Sequence, residues 1–265
     1  MGYATGVTLP YFLRKDGSVG PLAFAHRGFS REGLENSMAA FTAAVELGTV
    51  HLETDVHTTS DGVLLVFHDS SLDRVTDSAG RISELSAAEV ARARIGGAEP
   101  VPTFDELVTA FPEARLNLDL KDWNSVGPLA AAIENHGIHD RVLVTSFSDR
   151  RRRAVLATLS RRVASSAGSS LTALFVLLGP ALPVRLARKL LAGVDVFQVP
   201  VRYGRLPVVT AGFIRRAHRL GRQVHVWTIN DPAEMERLLD LGVDGIVSDR
   251  LDLLKEVLVR RGEWV

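Results

Sequence analysis

Pro21-Leu-Ala-Phe-Ala-His-Arg-Gly28 is the stretch on which the reading of this chain turns. The apolar run Leu22 to Ala25 reads as a buried strand, so His26-Arg27-Gly28 begins the loop just past its C-terminal end. Gly28 lets the backbone turn there without a Cβ clash. Runs of the same kind, rich in Val, Ile, Leu and Phe, recur near residues 50–56, 116–120, 142–147, 162–166, 195–199, 223–229 and 245–248. Together they make eight, the count a closed parallel barrel requires.

Helical patterns fill most of the gaps: Ser37 to Leu47, Ser125 to His136, Asp149 to Leu159, Pro183 to Leu191, Thr210 to Leu220, Pro232 to Leu241 and Leu251 to Arg260. Gly48, Gly221 and Gly242 close three of them, and Asp231-Pro232 opens one with an N-cap and a proline in the first turn. Strands alternating with helices predict an α/β fold, a TIM (β/α)8 barrel. The 265 residues suit one domain, 1–265, with no length left for a second. One segment breaks the alternation, an insertion at about 58–102 after the second barrel strand. It holds a hairpin arm at Val63 to Phe67, a helix at Ser86 to Arg94 and a Gly96-Gly97 break, and is expected over the barrel mouth.

Composition excludes several classes. Lys plus Arg (31) equals Asp plus Glu (31), so the chain as a whole lacks the basic excess of a nucleic-acid binder. The absence of cysteine rules out disulfides and thiolate metal sites. Met1 to Gly20 has no long apolar core of a secretion signal, and the longest apolar run, Leu171 to Leu178, is too short to span a bilayer. A cytoplasmic protein without stable membrane insertion is expected. That run and the nearby Arg185, Arg188 and Lys189 read as a barrel helix, with peripheral lipid contact as the rarer alternative. Arg150 to Arg153 with Arg161-Arg162 read as a solvated helix face.

The chemistry-bearing residues suit a phosphodiester, whose hydrolysis needs charge neutralisation, a proton acceptor and a proton donor. His26 and Arg27 follow the first strand, and His68-Asp69 follows the apolar run Val63 to Phe67. Glu53 and Asp55 alternate along the second strand, so both face one way while Thr54 faces the other. Side-by-side carboxylates repel unless a cation lies between them, and oxygen-only ligands favour Mg²⁺ or Ca²⁺. The plainer alternative is a salt bridge to Arg or Lys. His51 and His57 share that alternating face and read as packing or rim residues. Asn36 has the residue type of an N-cap for the helix starting near Ser37, and as a cap it could still aim its amide at the site.

His26-Arg27-Gly28, Glu35-Asn36-Ser37, Glu53-x-Asp55, Asp61-Gly62, His68-Asp69, Leu116-Asn-Leu-Asp-Leu-Lys121, Ser146-Phe147, Val226-Trp-Thr-Ile-Asn230 and Gly242-Val-Asp-Gly-Ile-Val-Ser-Asp249 together resemble the glycerophosphodiester phosphodiesterase family, a TIM-barrel group. The resemblance runs from about Pro21 to Arg250. It implies an enzyme that hydrolyses glycerophosphodiesters to sn-glycerol 3-phosphate and an alcohol, with the adjacent glycerol hydroxyl attacking first and water opening a cyclic phosphate. It implies His26 and His68 as the acid/base pair, Glu53, Asp55 and Asp119 around one divalent cation, Mg²⁺ or Ca²⁺, and Arg27, Asn36, Lys121 and Trp227 around the substrate. Lys121 would otherwise serve only to hold Asp119, and Trp227 only to fill the barrel.

One departure stands out. The family pattern has Glu-x-Lys where this chain has Asp119-Leu120-Lys121, so the third carboxylate reaches about one methylene less far. Related barrels of the lysophospholipase D, sphingomyelinase D and phosphatidylinositol phospholipase C kinds form the enzymatic alternative, opposed by the tail Gly242 to Asp249. A non-catalytic phosphodiester-binding barrel is the other alternative, opposed by the intact histidines and the Glu53/Asp55 pair.

Overall fold

The computed structural model describes residues 9–30, 32–179 and 181–265. Eight parallel strands form the barrel: β1 (Leu22–His26), β2 (His51–Thr58), β3 (Arg115–Leu120), β4 (Val142–Thr145), β5 (Ala164–Ser165), β6 (Val196–Pro200), β7 (Gln223–Trp227) and β8 (Gly245–Ser248). Neighbours pair in sequence order, β1 also pairs with β8, and a parallel bridge from Ser166 to Val196 joins β5 to β6. The barrel closes there at its shortest strand. The expected TIM barrel is the fold observed.

Helices cover the outside: α1 (Met38–Glu46), α2 (Phe104–Ala110), α3 (Val126–His136), α4 (Asp149–Thr158), α5 (Ser169–Leu178), α6 (Val184–Leu190), α7 (Ala211–Arg219), α8 (Pro232–Leu241) and α9 (Leu251–Arg260). Leu171 and Phe175 of α5 enter the core against Phe197 and Phe213, whereas Leu177 and Leu178 face outward. Helix α2 is absent from the pattern reading, because its seven residues make a single short apolar stripe after the insertion. A capping box of Thr103 and Glu106 starts it.

The lumen alternates as β2 dictates. Outward Leu52, Thr54 and Val56 are fully buried against the helix layer, and His51, Glu53, Asp55 and His57 point inward. A one-turn 3₁₀ helix, Pro10–Phe12, plugs the N-terminal end with Tyr11 and Phe12, which pack with Leu22, Phe24 and Val247. Gly245 is required in that floor, since a Cβ there would lie 2.8 Å from both His225 and Phe24.

The insertion runs from the end of β2 to the N-cap of α2 and has its own small core of Leu65, Phe67, Leu72, Ile82, Val90 and Ile95. Leu64–Val66 adds antiparallel to β2, the expected arm. The helix expected over Ser86 to Arg94 shrinks to Ala87–Val90, because Arg94–Ile95 leaves it to pair with Glu99–Pro100 through the turn at Gly96-Gly97. The polyarginine stretch also departs from its reading. Arg152 is 1% exposed, with Nη1 donating to Ser165 Oγ at 2.7 Å and to the Gly193 carbonyl at 3.2 Å. Periodicity explains it: Arg152 lies three residues before buried Val155, on the helix face turned to the barrel.

Candidate active site

The C-terminal ends of β1, β2, β3, β7 and β8 bring the chemistry together, as the barrel geometry requires. The turn after β1 is strained. Arg27 adopts φ 56° and Asn36 φ 58°, left-handed conformations that cost a non-glycine residue free energy and concentrate at functional sites. Surrounding bonds hold them: Arg27 N donates to Glu53 O at 3.0 Å and Glu53 Oε2 at 3.1 Å, and Asn36 N donates to Arg27 O at 2.9 Å. Gly28 has φ 82°, and a Cβ there would come within 2.7 Å of the Ala40 backbone. The tripeptide is thereby pressed against α1.

Asn36 is not the N-cap. Ser37 fills that role, accepting from Ala40 N, and this frees the Asn36 amide for the lumen. Its Nδ2 donates to Asp55 Oδ2 at 3.3 Å and its Oδ1 accepts from Thr54 Oγ1 at 2.7 Å, so an outward residue of β2 steadies an inward one.

Asp55 sits at the centre, 2% exposed, with Arg27 Nε 3.3 Å from one oxygen and Lys121 Nζ 2.8 Å from the other. Burial opposes its charge, but Lys121 and Arg27 outweigh that and hold its pKa below the ordinary carboxylate value. Glu53 has only the weaker counter-charges of His26 and Arg27. Burial and the Asp55 charge push it up to about 7. Asp119, opposite Asp55 in the β2–β3 register, is also raised by burial, which the Lys121 Nζ contact at 2.6 Å only partly offsets.

The structure therefore gathers Glu53, Asp55 and Asp119 into one place, with Lys121 bridging the latter two. Among the described residues, no group of three His, Cys, Asp or Glu side chains is spaced to hold a metal ion as it stands. In donor type the site nevertheless fits a hard divalent cation. All three groups are oxygen donors, Asp119 Oδ1 is buried without a hydrogen-bond partner, and Glu53 carries repulsion that a cation relieves.

The histidines rest on carboxylates that motif reading left without a role. His26 Nδ1 lies 2.6 Å from Asp249 Oδ1, and Asn230 Nδ2 donates to the other Asp249 oxygen at 2.8 Å. His26 Nε2 faces the site, 3.9 Å from Glu53 Oε2. Burial lowers the His26 pKa, but Glu53 and the Asp249 hydrogen bond more than restore it, leaving it above the ordinary value. His68 Nδ1 pairs with Asp69 Oδ1 at 2.5 Å, and its charge reaches Asp55. His57 is more than a rim residue, since its Nε2 donates to the His68 carbonyl at 3.1 Å while Nδ1 lies 2.7 Å from Asp122. His51 is remote, at the floor, donating to the Tyr11 carbonyl.

Arg74 of the insertion ties these parts together. Its guanidinium donates to Asp69 at 2.5 Å and to Glu35 at 2.6 Å, and Glu35 accepts from Arg27 at 2.8 Å. Nothing in its neighbours Asp73 and Val75 marks it in the sequence. Trp227 is half-buried at the mouth with its ring centroid 6.1 Å from that of Phe147.

Residues 26–253 match the model of the glycerophosphoryl diester phosphodiesterase family. The chain is 42% identical over 254 residues to "Probable glycerophosphodiester phosphodiesterase 2" of Mycobacterium tuberculosis, covering 96% of this chain and 95% of that one. Among solved structures, a glycerophosphodiester phosphodiesterase from Agrobacterium tumefaciens superposes with a TM-score of 0.72 at 25% identity, over 88% of this chain and 99% of the other. A phosphodiesterase from Oleispira antarctica, solved with the product sn-glycerol-3-phosphate, has a TM-score of 0.75 at 22% identity, over 91% of this chain and 97% of its own.

Proposed function

The chain belongs to the glycerophosphoryl diester phosphodiesterase family, enzymes that hydrolyse glycerophosphodiesters, and from that premise we propose how its residues divide the work. The convergence of His26, Arg27, Glu53, Asp55, Asp119 and Lys121 on one end of the barrel carries this reading. The product held by the structurally similar Oleispira protein supports sn-glycerol 3-phosphate as the product released here.

Arg27 binds a phosphoryl oxygen pair, for which its planar fork is suited, and Lys121 meets the remaining negative charge. Asn36 and Trp227 border the bound ester. His26 and His68 form the proton-transferring pair: one accepts the proton of the attacking hydroxyl, and the other returns a proton to the leaving alkoxide oxygen as its P–O bond breaks. Asp249 orients His26 so that Nε2 faces the site, and Asp69 holds His68 by its Nδ1. The family is generally dependent on a divalent metal. Glu53, Asp55 and Asp119 would hold the ion, Mg²⁺ or Ca²⁺, which polarises a phosphoryl oxygen when bound. The whole of 1–265 acts as one domain in this reading, in the cytoplasm, where a cysteine-free chain loses nothing to reducing conditions.

Purified protein assayed with glycerophosphocholine, glycerophosphoethanolamine, glycerophosphoglycerol and a lysophospholipid, with and without EDTA, tests it. Release of glycerol 3-phosphate from at least one diester, abolished by EDTA, is expected; none from any substrate with added Mg²⁺ or Ca²⁺ refutes the reading. Calorimetric titration with both ions tests the ligands. Asp119→Asn should weaken binding and Asp119→Glu should hold or tighten it, whereas unchanged affinity in Asp119→Asn removes that carboxylate from the set.

A further inference from the structure

The formal net charge of zero conceals a division. Residues 150–230 carry fifteen of the 31 Lys and Arg but one of the 31 Asp and Glu, so +14 on this stretch is balanced by −14 on the remainder. The stretch builds β5, β6, β7 and helices α4 to α7, a single side of the barrel.

At the mouth this basic side carries an apolar lip. Strand β6 continues into a hairpin, Arg202–Tyr203 paired antiparallel with Leu206–Pro207 around Gly204 at φ 57°. Tyr203 is 78% exposed and Leu206 45%. Arg202 and Arg205 are exposed beside them, with the Arg202 charge reaching only as far as Glu234, which is itself ion-paired to Arg237. Further apolar side chains stand along the same rim. Pro200, at the root of the hairpin, stands opposite Trp227 in the β6–β7 register, and Trp227 meets Phe147 edge-on. Phe147 is 58% exposed, and Trp123 is 50% exposed with the Arg150 guanidinium 5.4 Å from its ring.

A soluble surface gains nothing from four large apolar side chains at one rim, and such patches mark contact sites. Aromatic rings alternating with arginines match one environment in particular: the headgroup level of a bilayer, where rings settle at the boundary and cations are drawn to anionic lipid. A nucleic acid would call for cations that track a backbone, whereas here three arginines flank a mainly apolar lip. We propose that the lip formed by the 202–207 hairpin, Phe147 and Trp123 docks the barrel mouth onto an anionic phospholipid surface. The proposal concerns binding alone and stands apart from the reaction assigned above.

Sedimentation of the full chain with vesicles of phosphatidylcholine alone, and of phosphatidylcholine mixed with phosphatidylglycerol, tests it. Binding to the mixed vesicles only is expected, weakening as salt is raised because the lipid's field is screened. The R202Q/R205Q variant should lower the partition coefficient by about tenfold or more, at about 1 kcal/mol for each cation near the surface. The Y203S/L206S variant should also lower it, and R185Q/R188Q, on α6, should leave it nearly unchanged. Circular dichroism on each variant verifies folding. Failure of the wild type to bind mixed vesicles, equal binding to neutral ones, or loss in R185Q/R188Q with retention in both hairpin variants would each overturn the proposal. Retention on heparin without vesicle binding would overturn it in favour of a polyanion.

Discussion

The two ends of the barrel lumen treat the same side chain in opposite ways. His26 at the mouth and His51 and His225 at the floor are all inward-facing residues, of β1, β2 and β7. At the floor, Phe24 packs against both imidazoles, with ring centroids 5.1 Å from His51 and 4.8 Å from His225. Burial there goes nearly uncompensated, lowering His51 to about 3 and His225 to about 4. At the mouth, burial exacts the same cost, but Glu53 and Asp249 return more than it removes. The lumen is thus graded from a neutral, aromatic base to a charged rim, and position along a strand decides whether a histidine is packed neutral or held among carboxylates.

The most severe way to break the comparison is to remove the mouth histidines. His26→Ala and His68→Ala should each lower kcat by about 10² to 10⁴ without unfolding the protein, because general acid/base steps contribute on that scale. His225→Gln should leave kcat near wild type. Equal losses at mouth and floor would erase the distinction.

Smaller effects sharpen it. Asp249→Asn keeps the shape and removes the charge behind His26, and should cost about tenfold to a hundredfold in kcat, as losses of orienting partners do. Arg74→Met should cost about tenfold by loosening Asp69 and Glu35 together, with Arg74→Lys recovering part of the loss. Steady-state kinetics on both sets, with glycerol 3-phosphate release as the signal, decides; unaltered kcat in Arg74→Met would show the tie to be ornamental.

The slightest effect concerns stability. His225 is kept neutral in the fold, with its pKa near 4 against an ordinary 6.5, so the unfolded chain takes up the proton first as pH falls. The resulting loss of stability begins near 6.5 and is complete near 4. Between about pH 7 and 5.5 the wild type should lose about 1 kcal/mol more than His225→Gln, a few degrees in Tm. Thermal unfolding of both proteins across that range is the measurement, and parallel curves would mean the floor is wetter than its packing implies.

Much of this was written in local pattern. Each barrel strand is an apolar run long enough to stand out, and even β5, reduced to Ala164–Ser165, lay inside such a run. The carboxylates of β2 were legible because alternation fixes their shared face. What stayed hidden depends on contacts distant in sequence. Asp249 lies 223 residues from His26, and the Glu35 to Arg74 bond spans 39 in the chain, with no spacing rule to connect them. Arg152 looked solvated because a run of four arginines masks which one turns inward. Lys121 was legible as a partner of Asp119, two residues away, but its second contact, with Asp55, requires the β2–β3 register.

His26 belongs to the barrel wall, whereas His68 rides on the insertion, whose core of Leu65, Phe67, Leu72 and Ile82 is separate from the main one. The two proposed proton carriers therefore sit on parts able to open at different free energies, joined where Leu64 and Val66 of the insertion enter the main core. A brief detachment of the smaller unit would dismantle the reaction centre while leaving the barrel folded, and hydrogen exchange would register it as a region less protected than the strands. Evolution can then adjust catalytic readiness by altering how firmly that unit is latched, with Arg74 as the latch, and leave the global melting point almost untouched.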